Sequence, residues 1–246
     1  MNNDKKKITR RVIISSIAIL LIVVVVLLII KYQVEGETNM PFNLGKIMII
    51  STAEGVSVDE PEAMWDLNIV QNNDIYIQID KNKNYNTTEI ISKITLDNFK
   101  INKTPQNGII KVYRPSNDEK KTYVHNEQYE IKESLEYSGN TESNIKNLQI
   151  ANQGGMILLR YSIEDLGKYV SSEETEVRHD GTFLSKVGVS KKEIESEVSF
   201  DITISLVSGI NYKGTVILNI PSGNLVEEGT SSKEITNLKN VVFKRC

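Results

Sequence analysis

Few side chains in this sequence have the chemistry for catalysis or metal binding. The chain holds two histidines, His125 and His179, and one cysteine, Cys246, which is its last residue. A zinc site needs three or four His, Cys or carboxylate ligands that converge, and neither histidine has a second histidine at the H-x-x-x-H spacing. The sequence also has no G-x-S-x-G motif. We therefore predict no catalytic residue, no metal and no cofactor.

Two acidic patterns have features of known sites. Residues 80–84 (DKNKN) imitate the start of a calcium loop, but Tyr85 stands where the loop needs glycine and Ile91 where it needs glutamate. The acid pairs at 118–119 and 173–174 would serve a glycosidase only if two acids faced each other across a cleft at about 5–9 Å. Adjacency in sequence does not provide that geometry, so we expect a hairpin turn and solvated loops.

Aromatic side chains are concentrated in the first half of the chain. On one face of a sheet, they can stack on sugars or fill a pocket of a partner protein. The alternative is that they pack in the core or in cross-strand pairs. The candidate binding-surface residues are Trp65, Tyr85, Tyr113 and Tyr123.

An apolar segment near the start must position the domain that carries these residues. Residues 12–30 hold no charge, and about 19 helical residues span roughly 28 Å, close to the ~30 Å of a bilayer core. A cleaved signal peptide is the alternative, but it would have a shorter apolar core and a small-residue cleavage site, which KYQVE at 31–35 does not offer. We predict a cytoplasmic basic tail over 1–11, an uncleaved transmembrane anchor over 12–31 and a linker over 32–41.

The charges on either side of the anchor predict its orientation. Residues 5–11 include five Lys or Arg, whereas only Lys31 directly follows the apolar segment. Because basic flanks stay in the cytoplasm, we expect a single-pass protein of the cell membrane with its C-terminal domain outside.

The composition of that domain excludes some partners. Residues after 31 hold 23 Lys+Arg and 31 Asp+Glu, a net charge of −8, which argues against nucleic acid and against broad docking of the domain on anionic lipid. One cysteine cannot form an internal disulfide, so the core must be apolar. Abundant Lys, Asn and Ile with little Arg favour an AT-rich bacterial genome.

Alternation of apolar and polar residues predicts strands along residues 42–246. In 198–206 the even positions are apolar and the odd positions polar; with the alternating 216–220 this predicts a β-hairpin with one buried and one solvated face. At 71–74 the polar run QNND interrupts the pattern, as the turn of a hairpin or as a bulge in one long strand.

Other segments complete the predicted layout. We expect a bulge at Gly45 in the first strand and a capping box at Ser190 and Glu193. The remaining expectations are a loop at 53–62, strands at 91–101 and 156–163, two strands within 123–137, a short helical turn at 180–188, a loop at 221–232 and a last strand at 241–243.

These elements predict a mainly β protein, in which a transmembrane helix precedes an antiparallel Ig-like β-sandwich with one or two short helices. The sandwich region, 42–246, is either one unit or two subdomains split near 139–147. The stretches IYIQIDKNKNYNTTEIISKITLDNF and VEEGTSSKEITNLKNVVFKR resemble an uncharacterised group of single-pass, β-rich extracytoplasmic proteins from AT-rich Gram-positive bacteria. The resemblance implies no activity.

We therefore expect a membrane-anchored envelope protein with a binding or assembly role and with a protein or cell-wall partner. A cell-envelope hydrolase and an accessory subunit of a membrane complex are the alternatives.

Overall fold

The computed structural model describes residues 2–37, 39–59, 61–85, 88–117, 121–139, 148–173 and 177–246, with the backbone alone for 2–9 and 32–35. Strands outweigh helices, as the sequence predicts. The helices are α1 (Asn2–Glu35), α2 (Thr182–Lys186), α3 (Lys191–Ile194) and α4 (Leu225–Glu228). The strands are β1 (Phe42–Ser57), β2 (Trp65–Lys81), β3 (Ile91–Lys103), β4 (Ile109–Tyr113), β5 (Ser134–Ser138), β6 (Gly155–Glu164), β7 (Lys168–Ser171), β8 (Ser196–Leu206), β9 (Asn211–Ile220), β10 (Ser231–Ile235) and β11 (Lys244–Arg245).

The strands form two antiparallel sheets. The first has the order β10-β1-β2-β6-β4, with β7 also pairing with β2, and the second has the order β11-β9-β8-β3-β5. One large hydrophobic cluster contains side chains of both sheets, among them Ile49, Ile77 and Leu159 from the first and Ile94, Phe200 and Val216 from the second. The inner faces of the two sheets therefore share a core.

The hairpin of β1 and β2 is the longest among the described residues, and its structure corrects one expectation. Its register shifts between Leu44 and Lys46, which confirms the bulge at Gly45. The predicted loop at 53–62 is wrong in its first half, because β1 continues to Ser57 and pairs there with Leu67. The polar run 71–74 lies within one long strand, as the second alternative predicts, but without the bulge, since β2 passes through it in unbroken register with β1.

The β8–β9 hairpin confirms the clearest sequence pattern, with Phe200 opposite Val216 and Ile202 opposite Gly214. Its polar face is less solvated than predicted, because Ser199 and Asp201 are buried. Asp201 accepts hydrogen bonds from Thr215 Oγ1 (2.6 Å) and Asn98 Nδ2 (2.9 Å). These bonds are what allow a carboxylate to be covered on that face.

Several other expectations can be compared with the structure. The strands predicted at 91–101 and 156–163 are confirmed as β3 and β6, and the capping box of Ser190 and Glu193 is confirmed in α3. Of the two strands predicted within 123–137, only β5 forms. The loop predicted at 221–232 contains α4, and the last strand is β11 rather than 241–243. The proposed division near 139–147 falls mostly on 140–147, outside the described residues.

The N-terminal helix stands apart from this core. Its segment Arg10–Lys31 has a mean hydropathy of 3.5 over its most apolar window, and none of that window is buried. By length and composition it is long and apolar enough to cross a membrane.

Candidate functional site

The polar run of β2 creates two groups of polar side chains, because successive residues of a strand point to opposite faces of the sheet. Gln71 and Asn73 share the inner face with Ile75, whereas Asn72 and Asp74 lie on the outer face. Gln71, Asn72 and Asn73 are all buried.

We call the inner group the amide layer; it consists of Ser51, Gln71 and Asn73. Ser51 Oγ donates to Asn73 Oδ1 (2.8 Å), and the two amides bond each other in both directions at 3.0 Å. Ser51 Oγ also accepts the backbone N–H of Ser222 (2.9 Å). On β1 and β2 this layer separates the large core, which includes Ile49 and Ile75, from a second cluster with Ala53 and Ile69.

We call the outer group, together with the side chains that contact it, the charged centre. Its members are Glu54, Asn72, Asp74, Tyr123, His125, Arg160 and Ser162. It is built on an ion pair. Arg160 of β6 lies opposite Asp74 in the register and binds it with two hydrogen bonds, from Nε to Oδ1 (2.5 Å) and from Nη2 to Oδ2 (3.0 Å). Only 12% of the Arg160 side chain and 17% of the Asp74 side chain are exposed. Burial lowers the pKa of Arg160, but the bonds to Asp74 and the charge of Glu54 raise it above its ordinary value, so the guanidinium is cationic.

The loop between β4 and β5, residues 114–133, places two rings over this pair. Tyr123 lies with its ring centroid 4.4 Å from the guanidinium carbon of Arg160. His125 points Nε2 at Asn72 Oδ1 (3.1 Å) and at Ser162 Oγ (3.2 Å). Burial lowers the pKa of His125 more than the carboxylate of Glu54 raises it, so this imidazole is neutral at pH 7.

Ser162, His125 and Glu54 stand in the order of a hydrolase triad, but the step from His125 to Glu54 is longer than a hydrogen bond. His125 Nδ1 lies 3.5 Å from Glu54 Oε1, on the side opposite Ser162. The proton positions do not suit that chemistry, because Ser162 Oγ donates to Asn72 Oδ1 (2.7 Å) and therefore accepts from His125 Nε2. A triad needs the serine hydroxyl to donate to the imidazole. Ser162 is also fully buried, so a substrate carbonyl has no access to it.

A cleft of about 290 Å³ opens beside the charged centre. Its wall includes four carboxylates, and the lining residues with side-chain chemistry are Lys111, Tyr113, His125, Glu127, Glu130, Glu164 and Asp165. Lys111 Nζ pairs with Glu164 Oε2 at 2.7 Å. Tyr113 donates its hydroxyl to the other carboxylate oxygen of Glu164. The cleft is at the small end of ligand-site volumes and suits a group that brings amines or hydroxyls.

The four candidate aromatics do not share one surface. Tyr113 and Tyr123 are buried, with Tyr113 edge-on to His125 at a ring-centroid distance of 5.2 Å and Tyr123 on Arg160. Trp65 is half-buried against the second cluster at the start of β2. Tyr85 is half-buried just beyond the end of β2, and roughly 50 Å of strand separates it from Trp65.

The remaining histidine has a structural environment. His179 Nδ1 accepts the backbone N–H of Gly55 (3.4 Å), and its ring lies edge-on to Phe183. Within the described ranges, no three His, Cys, Asp or Glu side chains are grouped to hold a metal ion.

The sequence does not predict the charged centre. Its members come from β1, β2, β6 and the β4–β5 loop, and His125 lies 53 residues from Asn72. The one local signal was the QNND run, whose polar residues a strand must satisfy when they are buried.

Comparisons of the chain with family models, with curated proteins and with solved structures found no match.

Proposed function

We propose that this protein is anchored in the cell membrane by one helix and that its β domain acts outside the cytoplasm by binding or assembly. The observation that carries the proposal is the helix segment Arg10–Lys31, whose apolar side chains are exposed and none of whose most apolar window is buried. At roughly 25 cal/mol per Å² of apolar surface, exposing that segment to water would cost many times the stability of a domain. A bilayer supplies the missing apolar surroundings.

The orientation follows from the flanking charges. Five Lys or Arg in 5–11 favour a cytoplasmic N-terminus, and the single Lys31 on the other side favours export of the domain. Protease added to intact protoplasts should digest the β domain and leave the tail and helix. Protection of the β domain would contradict this orientation.

The anchor is tested by placing charge at its centre. An arginine there costs about 3 kcal/mol on insertion scales, so the pair Leu20→Arg and Val24→Arg should move the protein to the carbonate-extractable fraction. The matched control, Leu20→Ile with Val24→Ile, should stay in the membrane pellet. Equal extraction of both variants would mean that the helix does not span the bilayer.

The cleft beside the charged centre supports a binding role. Its carboxylates suit a partner that presents amines or hydroxyls, either in a protein or in the cell wall. Crosslinking of intact protein in its own membrane should recover a partner that is lost with Glu127→Gln and Glu130→Gln. The control is Glu133→Gln, an exposed acid of the same loop outside the cleft. The same yield of crosslinked partner from the unmodified protein, from Glu127→Gln with Glu130→Gln and from Glu133→Gln would contradict a binding role for the cleft.

A cell-envelope hydrolase is the alternative that one observation favours, the line of Ser162, His125 and Glu54. A fluorophosphonate probe tests it directly, since it labels only an activated and accessible serine. We expect no labelling, because Ser162 is buried and donates its proton to Asn72. Labelling that Ser162→Ala removes would establish the hydrolase instead.

Two further descriptions belong to the same proposal. An Ig-like sandwich is the fold class that we assign to the two antiparallel sheets, on the ground that their inner faces share a core. A role as accessory subunit of a membrane complex is compatible with the anchor, and co-purification of a membrane protein that depends on residues 12–31 would favour it.

A further inference from the structure

One end of the β domain is fastened to the end of the N-terminal helix; we call it the helix-proximal end. The backbone N–H of Glu37 donates to the carbonyl of Phe243 (2.5 Å), and Arg245 Nε lies 3.4 Å from a carboxylate oxygen of Glu37. Asn82, after β2, bonds the carbonyls of both Met40 and Pro41. The chain that leaves the helix is therefore packed against both sheets.

The height of this end above a bilayer follows from helix geometry. The spanning segment stops at Lys31 and α1 continues to Glu35, which adds about 6 Å at 1.5 Å per residue. The headgroup layer on each side of the hydrocarbon core is roughly 5–7 Å thick. The helix-proximal end therefore begins at the outer boundary of the headgroups.

A polar cleft of about 890 Å³ lies at this end, where β1 begins and β2 ends. Its lining residues are Asn43, Asp80, Lys81, Asn82, Lys83, Asn84 and Tyr85. Ammonium and amide N–H groups are the donors that phosphate and glycerol oxygens accept from, and tyrosine is enriched at membrane interfaces. Asp80 is the one acid in this lining.

The second sheet adds an apolar contact to the same end. Val207 follows the last residue of β8, in the turn before β9, and 64% of its surface is exposed. Val207 lies near the chain segment that links α1 to the domain, because β9 pairs with β11 directly beyond Phe243. Lys244 and Arg245 supply further positive charge there, partly offset by Glu37.

We propose that the helix-proximal end docks on the headgroup layer of the membrane that holds the helix, with Lys81 and Lys83 contacting the phosphates of anionic phospholipids. The inference rests on the proposed anchor. The ligand of the cleft is a lipid headgroup rather than a free anion, because the covalent link to the helix holds the cleft beside a dense layer of phosphates. The acidic remainder of the domain, which such a layer repels, is then held away from the surface.

The experiment uses the full chain in vesicles of phosphatidylglycerol and phosphatidylcholine with a quencher on the headgroup. Cys246→Ser removes the only cysteine, and a fluorophore is attached to Val207→Cys or, as the control, to Met64→Cys. Val207 and Met64 are both exposed apolar side chains. Met64 directly precedes β2, at the end of that strand far from Lys81. We expect quenching to be several-fold greater at position 207 than at position 64.

Charge reversal separates docking from mere tethering. Lys81→Glu with Lys83→Glu should lower the quenching at 207 several-fold, although not to the level at 64 because the covalent link to the helix is intact, and vesicles of phosphatidylcholine alone should do the same. Lys100→Glu with Lys192→Glu, an identical charge change at the opposite end, should leave it unchanged. Equal quenching at 207 and 64, or quenching at 207 that ignores Lys81 and Lys83, would overturn the proposal.

Two controls distinguish a loss of docking from a loss of the anchor and from binding of a free anion. Resistance to carbonate extraction shows that the anchor holds in each variant, so a loss of docking is not a loss of the anchor. Added inorganic phosphate should not abolish the quenching at 207; competition by millimolar phosphate would mean that the cleft takes a free anion and would overturn the lipid assignment.

Discussion

The amide layer and the charged centre arise from four consecutive residues of one strand, yet they are built differently. The inner members, Gln71 and Asn73, are neutral, fully buried and bonded to each other, and Asn73 also accepts the hydroxyl of Ser51. On the outer face Asp74 brings charge, and the Asp74–Arg160 pair keeps 17% and 12% of its side chains exposed.

The difference shows how burial decides which polar groups a sheet can hold. A neutral amide can be enclosed when its donors and acceptors are paired, because its desolvation then costs little. An ion must also be neutralised, and even then desolvation can cancel the attraction. The outer pair meets this requirement by bidentate bonding, by the ring of Tyr123 and by contact with water.

The largest loss of stability should come from a substitution that leaves one ion of the charged centre without its partner. Arg160→Ala leaves Asp74 charged beneath the β4–β5 loop, and we expect it to lower the free energy of unfolding by about 3–4 kcal/mol. Denaturant unfolding of the full chain in detergent measures this, with the fluorescence of Trp65, the single tryptophan, as the probe.

The matched control removes both charges. Arg160→Met with Asp74→Leu should be clearly more stable than Arg160→Ala, since no ion is left buried. If the double variant were the less stable of the two, the pair would stabilise by more than mutual neutralisation, and our account of the charged centre would be wrong.

The amide layer should be the next most sensitive. Asn73→Ala removes the acceptor of Ser51 and both bonds to Gln71 inside the core, and unsatisfied buried groups cost about 1–3 kcal/mol each. We expect a loss of about 2–3 kcal/mol in the same denaturation experiment. Asn68→Ala, at an exposed position of the same strand, should change stability by no more than about 0.5 kcal/mol. Similar losses in both variants would mean that the layer contributes nothing specific.

The sequence predicts these regions unequally. The alternation at 198–206 predicts its hairpin because all the information is local. For the same reason, Gly45 predicts the bulge, and Ser190 with Glu193 predicts the capping box. The run 71–74 indicates a turn or a bulge when each polar residue is judged alone. Its partners lie far along the chain, 22 residues away for Ser51 and 86 for Arg160, so periodicity cannot reveal that they are satisfied.

The same limit explains the C-terminal error. Three successive apolar residues, 241–243, predict a strand, but Val242 is 45% exposed and only Phe243 of the three is buried. Phe243 is placed by the chain that leaves α1, through the bond from Glu37. No local pattern carries that contact.

A smaller effect, specific to the charged centre, should appear on acidification. The pKa of His125 is lowered in the fold by burial, whereas in the unfolded chain it is about 6.5. Below that value the unfolded state binds the proton first, so stability present above pH 6.5 is lost as the pH falls.

The melting temperature of the full chain in detergent, followed from pH 7.5 to 5.5, measures this loss. His125→Gln should flatten that part of the profile, whereas Asn73→Ala should keep it, because the amide layer does not titrate. A loss of the same size in His125→Gln would assign the acid sensitivity to other groups.

The smallest change at neutral pH should come from Glu54, which is 40% exposed and lies 3.5 Å from His125 Nδ1. Glu54→Gln keeps an acceptor for Asn72 and removes a partly solvated charge, so we expect a loss of about 0.5–1 kcal/mol at pH 7.5. Its effect on titration should be more informative. The carboxylate raises the pKa of His125 against the effect of burial, so its removal lowers that pKa further and widens the gap from the unfolded chain. Stability should then fall more steeply between pH 6.5 and 5.5 than in the unmodified protein. His125→Gln combined with Glu54→Gln should abolish the added slope, which links it to the imidazole. A shallower acid profile in Glu54→Gln would mean that Glu54 does not favour the protonated imidazole, and that the charged centre is held without the His125–Glu54 contact.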